Sequence, residues 1–173
     1  GASCLEGAPK EASKVDQVLL KEHPQHLGAS LRMLRRRLVR GDYVAAAAEA
    51  HALRQHYPTE AEPYRLEARA LLAQRLPQKA VEVLRAGVDR VENRHALLLE
   101  LVDALARAGD DAGMRQTVEH MRESWAGDTR QIAQAMAALS RGESSLNNHA
   151  RALRAARDAY ALEPEGTYLA LAA

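Results

Sequence analysis

Residues 61–94 read AEPYRLEARALLAQRLPQKAVEVLRAGVDRVENR, and their apolar positions return further along the chain at a fixed distance. Tyr64, Leu98 and Ile132 follow one another at steps of 34, as do Ala68, Val102 and Met136, and Leu71, Leu105 and Leu139. The same step joins Ala80 to Met114, Leu84 to Val118 and Gly87 to Met121. All six columns keep apolar or small residues in one register, and a fixed period of this length is the signature of a repeat array. Inside the unit the columns are spaced 4 and 3 apart twice over, at 64, 68, 71 and at 80, 84, 87. That spacing places each trio on one helical face. Arg75, Leu76 and Pro77 interrupt the pattern between the trios. Proline is tolerated in the first turn of a helix, where its missing N–H has no partner to lose. The unit is therefore predicted to be a helix, a tight turn and a second helix.

Composition agrees with helices throughout. The 173 residues are 47% hydrophobic, yet aromatic residues make up 3% and phenylalanine is absent. Alanine and leucine, which dominate the apolar set, favour helix over strand. The 24 basic and 23 acidic side chains leave a net charge of +1. Such a balance supplies no global field for nucleic acid, and no nucleic-acid partner is expected. No apolar run reaches the roughly 18 residues that a membrane-spanning helix needs.

Tyr64, Ala68, Leu71, Ala80, Leu84 and Gly87 give the order aromatic, small, apolar, alanine, apolar, small. This order resembles the tetratricopeptide repeat (TPR) family. Gly41-Asp42-Tyr43 with Ala46, Ala50 and Pro58 looks like the second half of a preceding unit, and Ala152, Ala156, Ala159 and Pro164 like the second half of a fourth. The resemblance spans residues 25–173 and implies an all-α fold. Its form would be a right-handed α-solenoid of about four helix-turn-helix repeats, with a capping helix at the N-terminus. The repeats fall near 25–60, 61–94, 95–128 and 129–164 of a domain covering 13–173, with a partial repeat or cap at 165–173. Three departures stand out. Arg37 is placed where the family carries an aromatic, which leaves the first register open. About four extra residues at Gly142–Asn148 should bulge as a loop, and Glu92 and Ala126 replace the closing proline.

At the ends, residues 1–12 read as a flexible lead. Ser13 and Asp16 resemble a capping pair opening a short helix whose apolar stripe is Val15, Val18 and Leu19. Gly1-Ala2-Ser3-Cys4 resembles the processing site of bacterial lipoproteins, which makes Cys4 a candidate for lipidation. The alternative is a tag remnant and a plain free thiol. Tyr168, Leu171 and Ala172 repeat the opening of another unit. That leaves the C-terminal end open to a longer array, to self-capping or to a covering partner, self-association among the possibilities.

In the TPR resemblance the first helix of each unit lines a concave groove. Its inward positions are Glu62, Arg65, Leu66, Arg69 and Leu72 in one unit, and Ala96, Leu99, Glu100, Asp103 and Arg107 in the next. Arg65 and Arg69 are four apart and share a face, so two guanidinium forks could hold a partner's carboxylate. Leu66, Leu72 and Leu99 could seat an apolar side chain beside it. The competing reading is that Arg65 or Arg69 pairs with Glu100 or Asp103 on the next helix. Arg32, Arg35, Arg36, Arg37 and Arg40 cluster on one helix without the interleaved aromatics of a stacking platform, which reads as a solvated, acid-facing surface. The seven histidines lack the spacing of a zinc helix, and no Gly-rich phosphate loop or G-x-S-x-G is present. No catalytic residue, cofactor or metal is expected.

The expected function is a non-catalytic protein-interaction scaffold holding a protein or peptide in its groove. With Cys4 lipidated it would be a periplasmic, outer-membrane-anchored assembly factor for a pilus, secretion or other envelope complex. The alternative is a cytoplasmic TPR adaptor cut from a larger protein.

Overall fold

The computed structural model describes residues 14–23 and 26–163. Helical residues 14–22 form α1. The helices that follow are α2 (Leu27–Val39), α3 (Tyr43–His56), α4 (Ala61–Ala73), α5 (Pro77–Val88), α6 (His95–Ala108), α7 (Asp111–Ser124), α8 (Thr129–Ser145) and α9 (His149–Leu162). From α2 onward they pair as four hairpins. Pro77 sits in the first turn of α5, where the sequence placed it.

One turn is used four times. The N–H of Gly41, Arg75, Gly109 and Asn147 donates to the carbonyl three residues back, and the next N–H to the carbonyl five back, at 2.8–3.1 Å. These paired bonds satisfy the last carbonyls of α2, α4, α6 and α8 and require a left-handed residue just past the helix. The four residues have φ of 81°, 60°, 77° and 61°. Gly41, Arg75 and Gly109 keep the step of 34, so the column of Tyr64 falls on Ser30 in the first hairpin, not on Arg37.

Contacts between hairpins set the curvature. First helices touch in the pairs α2–α4, α4–α6 and α6–α8, and each second helix touches the next first helix. Among the described residues no second helix touches the next second helix. The stack is tighter along the first helices, so these line the inner face of an all-helical solenoid. The apolar columns fill the interior. Tyr64, Ala68, Val102, Leu105, Ala80, Leu84, Met114, Val118, Gly87 and Met121 are all buried. Tyr64 explains why Gly87 is glycine: a Cβ there would lie 2.9 Å from Cγ of the ring. The ring is anchored at its far end, where its hydroxyl donates to the Pro58 carbonyl at 2.9 Å. The next unit carries Leu98 and Met121 in these columns, moving bulk from the first helix to the second.

Two expectations are corrected. The extra residues at Gly142–Asn148 do not bulge, because α8 continues to Ser145 as one added helical turn. The turn is held by packing: a Cβ on Gly142 would meet Met114 Sδ at 2.2 Å and Ala106 Cβ at 3.2 Å. Glu143 is buried beside it and accepts from Asn148 Nδ2 at 2.8 Å, near Arg115 and Arg151. In α1, Val15 and Val18 face solvent at 65% and 56% exposure, so they are not the stripe that packs. Asp16 is the buried residue, clamped by Arg32 Nη2 and Arg36 Nη2 at 2.6 Å each. Its carboxylate is engaged by those guanidiniums, and Ser13 lies outside the described residues. The hydrogen bond from Arg32 holds the Asp16 carboxyl below the usual carboxylate range, against burial and with help from Arg36.

Candidate protein-interaction groove

The inner face is built from the first helices of the hairpins, and an ion-pair ladder runs across three of them, α2, α4 and α6. Arg35 on α2 donates to Glu62 on α4 at 2.6 Å. Arg65 donates to Glu62 at 2.8 Å and reaches across to α6, where two of its nitrogens meet Glu100 Oε1 at 3.0 and 2.8 Å. Arg69 adds a third bond to the same oxygen at 2.6 Å. Burial pushes the Glu62 carboxyl up, but the hydrogen bond from Arg35 and the charges of Arg65 and Arg69 outweigh it and hold it below its ordinary range. On α6 itself Arg107 pairs with Asp103 one turn back, at 3.0 Å.

Of the two readings of Arg65 and Arg69, the intramolecular one describes these side chains. Arg65 is mostly covered, at 26% exposure, and its fork is occupied by Glu62 and Glu100. Arg69 and Arg107 remain half exposed, at 51% and 57%. They border a cleft of about 390 Å3 between α4 and α6, lined also by Leu72, Ala73, Glu100 and Asp103. The second carboxylate oxygen of Glu100 is buried without a hydrogen bond.

The groove residues read from sequence therefore divide. Arg69, Leu72, Glu100, Asp103 and Arg107 converge on the cleft. Arg65 belongs to the ladder beside it. Leu66 is 1% exposed and packs with Leu34, Ala46, Ala50 and Leu53, so it holds the first two hairpins together and is closed to a ligand. Leu99 is half-buried against the main core, and Ala96 lines a separate hollow near Val91 and Glu92. Ala73 was missed, although it stands 34 residues before Arg107 and so shares its column.

Four of the five arginines of the basic cluster, all but Arg40, meet acids of the chain itself among the described residues. Arg32 and Arg36 hold Asp16, Arg35 holds Glu62, and Arg37 holds Asp42 and Glu49. Trp125 packs edge-on against His95 at 4.8 Å between ring centres, a structural contact between α6 and the end of α7. Cys4 and residues 165–173 lie outside the described residues.

Solved structures share this architecture. A thermophilic TPR protein of Thermus thermophilus superposes with a TM-score of 0.69 at 17% identity, covering 92% of this chain and 88% of the other. The TPR-like repeats of a putative kinesin light chain from Podosopora anserina give 0.69 at 18%, covering 92% and 87%. The MamA protein gives 0.68 at 15%, covering 93% and 86%. No protein-family model and no curated protein sequence matches the chain.

Proposed function

We propose, from its TPR fold, that this chain is a non-catalytic scaffold that captures a segment of a partner protein on its concave face. The carrying observation is the cleft between α4 and α6, where half-exposed Arg69 and Arg107 flank Leu72 and Ala73. Four guanidiniums, of Arg35, Arg65, Arg69 and Arg107, face three carboxylates, of Glu62, Glu100 and Asp103. The excess favours an acidic segment with a small apolar side chain. Arg107 is the readier donor, since its bond to Asp103 is an exposed one-turn pair worth about 0.3–0.5 kcal/mol.

The test is fluorescence anisotropy with end-labelled short acidic peptides, basic peptides of equal length serving as the control. Arg69→Glu with Arg107→Glu should weaken acidic-peptide binding at least tenfold while helicity is unchanged. Equal binding of acidic and basic peptides, or a double variant that binds as the wild type does, would remove this reading.

The reading extends to a tethered form. Gly1-Ala2-Ser3-Cys4 supports attachment of a lipid to Cys4 and work as an assembly factor for a pilus, secretion or other envelope complex. Radiolabelled palmitate should enter the protein in a bacterial host, and Cys4→Ser should abolish the label. A label that survives the substitution, or never appears, removes the tether and leaves the groove reading intact.

A further inference from the structure

Two surfaces at opposite ends of the solenoid are without partners among the described residues, and they complement each other. At the N-terminal end, α1 faces inward with Asp16 and outward with Lys14, Val15, Val18 and Lys21, all exposed. Lys14, Val18 and Lys21 are spaced 4 and 3 apart, so they form one stripe, with Val15 beside it. Neither lysine has an ion-pair partner among the described residues. At the C-terminal end, the gap between α7 and α9 on the convex side forms a cleft of about 510 Å3. Ile132 and Met136 of α8 lie within it together with Ala161 and Leu162, while Glu119, Glu123 and Asp158 line it with a single cation, Arg122. Arg122 is already paired with Glu119 at 3.0 Å, and Glu123 and Asp158 have no ion-pair partner among the described residues.

We propose that this cleft receives the outer face of α1 from a second copy of the chain, Val15 and Val18 entering over Ile132 and Met136 while Lys14 and Lys21 meet Glu123 and Asp158. The inner face of α1 stays on its own solenoid, because Asp16 points the opposite way and remains under Arg32 and Arg36. The contact joins two different patches, so each copy that docks leaves one α1 and one cleft free. Such a heterologous contact grows head to tail and does not close by itself into a symmetric dimer. Two valines and two charge pairs make a small interface, so association is weak and falls as salt rises. The proposal is independent of the concave groove.

The test is sedimentation velocity on the full chain from about 1 µM to about 1 mM, a range that covers weak association. The wild type should show a mass-average that climbs with concentration without a plateau at the dimer. Val18→Glu, a surface change on α1, and Glu123→Lys with Asp158→Lys, a surface change on the cleft, should each weaken association at least tenfold with helicity unchanged. Mixed together, the two variants should form a dimer and nothing larger, since one supplies an intact cleft and the other an intact α1. A wild type that is monomeric throughout overturns the proposal and leaves the cleft to a basic segment of another protein. Variants that associate like the wild type, or a mixture that stays monomeric, overturn it equally.

Discussion

Arg75 occupies a backbone position that a side chain makes costly, and replacing it with glycine should stabilise the protein. Its φ of 60° is left-handed, as are the φ values of Gly41, Gly109 and Asn147 at the equivalent turns. For a residue with a Cβ that conformation costs roughly 1–2 kcal/mol. Glycine removes the cost but adds freedom to the unfolded chain, which offsets about 0.4–1 kcal/mol. The side chain of Arg75 is exposed and makes no hydrogen bond or ion pair among the described residues, so its loss subtracts nothing further. Arg75→Gly should therefore gain about 0.5–1 kcal/mol, or roughly 1–4 °C in Tm for a chain of this length. The reciprocal change, Gly109→Ala, should lose about 0.5–1.5 kcal/mol, since no atom crowds that site and only the conformation opposes a Cβ. The assay is urea denaturation followed by circular dichroism at 222 nm, with the midpoint moving and the slope constant. A destabilised or unchanged Arg75→Gly, together with a neutral Gly109→Ala, would refute the idea that these turns are set by one left-handed residue.

Three further outcomes follow from the packing and the ion pairs. Gly87→Ala should cost about 1–3 kcal/mol despite alanine's better helix propensity, because the new Cβ meets the Tyr64 ring near its root. Adding Tyr64→Leu should cost less than the sum of the two single changes, measured as a double-mutant cycle in urea. Leu66→Ala should lose about 2–5 kcal/mol and Leu72→Ala under about 1.5 kcal/mol, because Leu66 is core and Leu72 lines the cleft. The reverse ranking in thermal melts would return Leu66 to the groove. Asp16 titrates low in the folded state, so its contribution is complete above its unfolded value near 3.9 and disappears as pH falls through the folded one. Protection factors of residues 17–22, exchange rates divided into the intrinsic rate at each pH, should therefore be high at pH 6, fall at acid pH before those of α4 and α6 do, and be low at both in Asp16→Asn. Protection of α1 that is indifferent to Asp16→Asn would mean that apolar contacts, not the clamp, hold it.

The period of 34 was open to reading because packing repeats itself where the chain does: Tyr64, Leu98 and Ile132 meet equivalent neighbours, so selection for bulk leaves a column. The turn rule was present too, since Gly41 and Gly109 stand two periods apart, but Arg75 between them hid it. The inserted turn of α8 could not be read as helix from Gly142–Asn148, because glycine, serine and asparagine there have poor intrinsic propensity. Its helicity rests on Met114 and Ala106 lying against Gly142, atoms that come from other helices.

By itself the sequence determined the paired helices of the 34-residue units and the repeating apolar columns that fill their interior, since both follow from apolar spacing along one covalent chain. Tertiary structure alone decided which of Arg65, Leu66, Arg69 and Arg107 a partner can reach. Leu66 points into the seam between hairpins, and Arg65 is held by Glu62 and Glu100, 3 and 35 positions away. Reach across a groove depends on the distance between neighbouring helices and on the length of each side chain, and neither is written in the spacing along one helix.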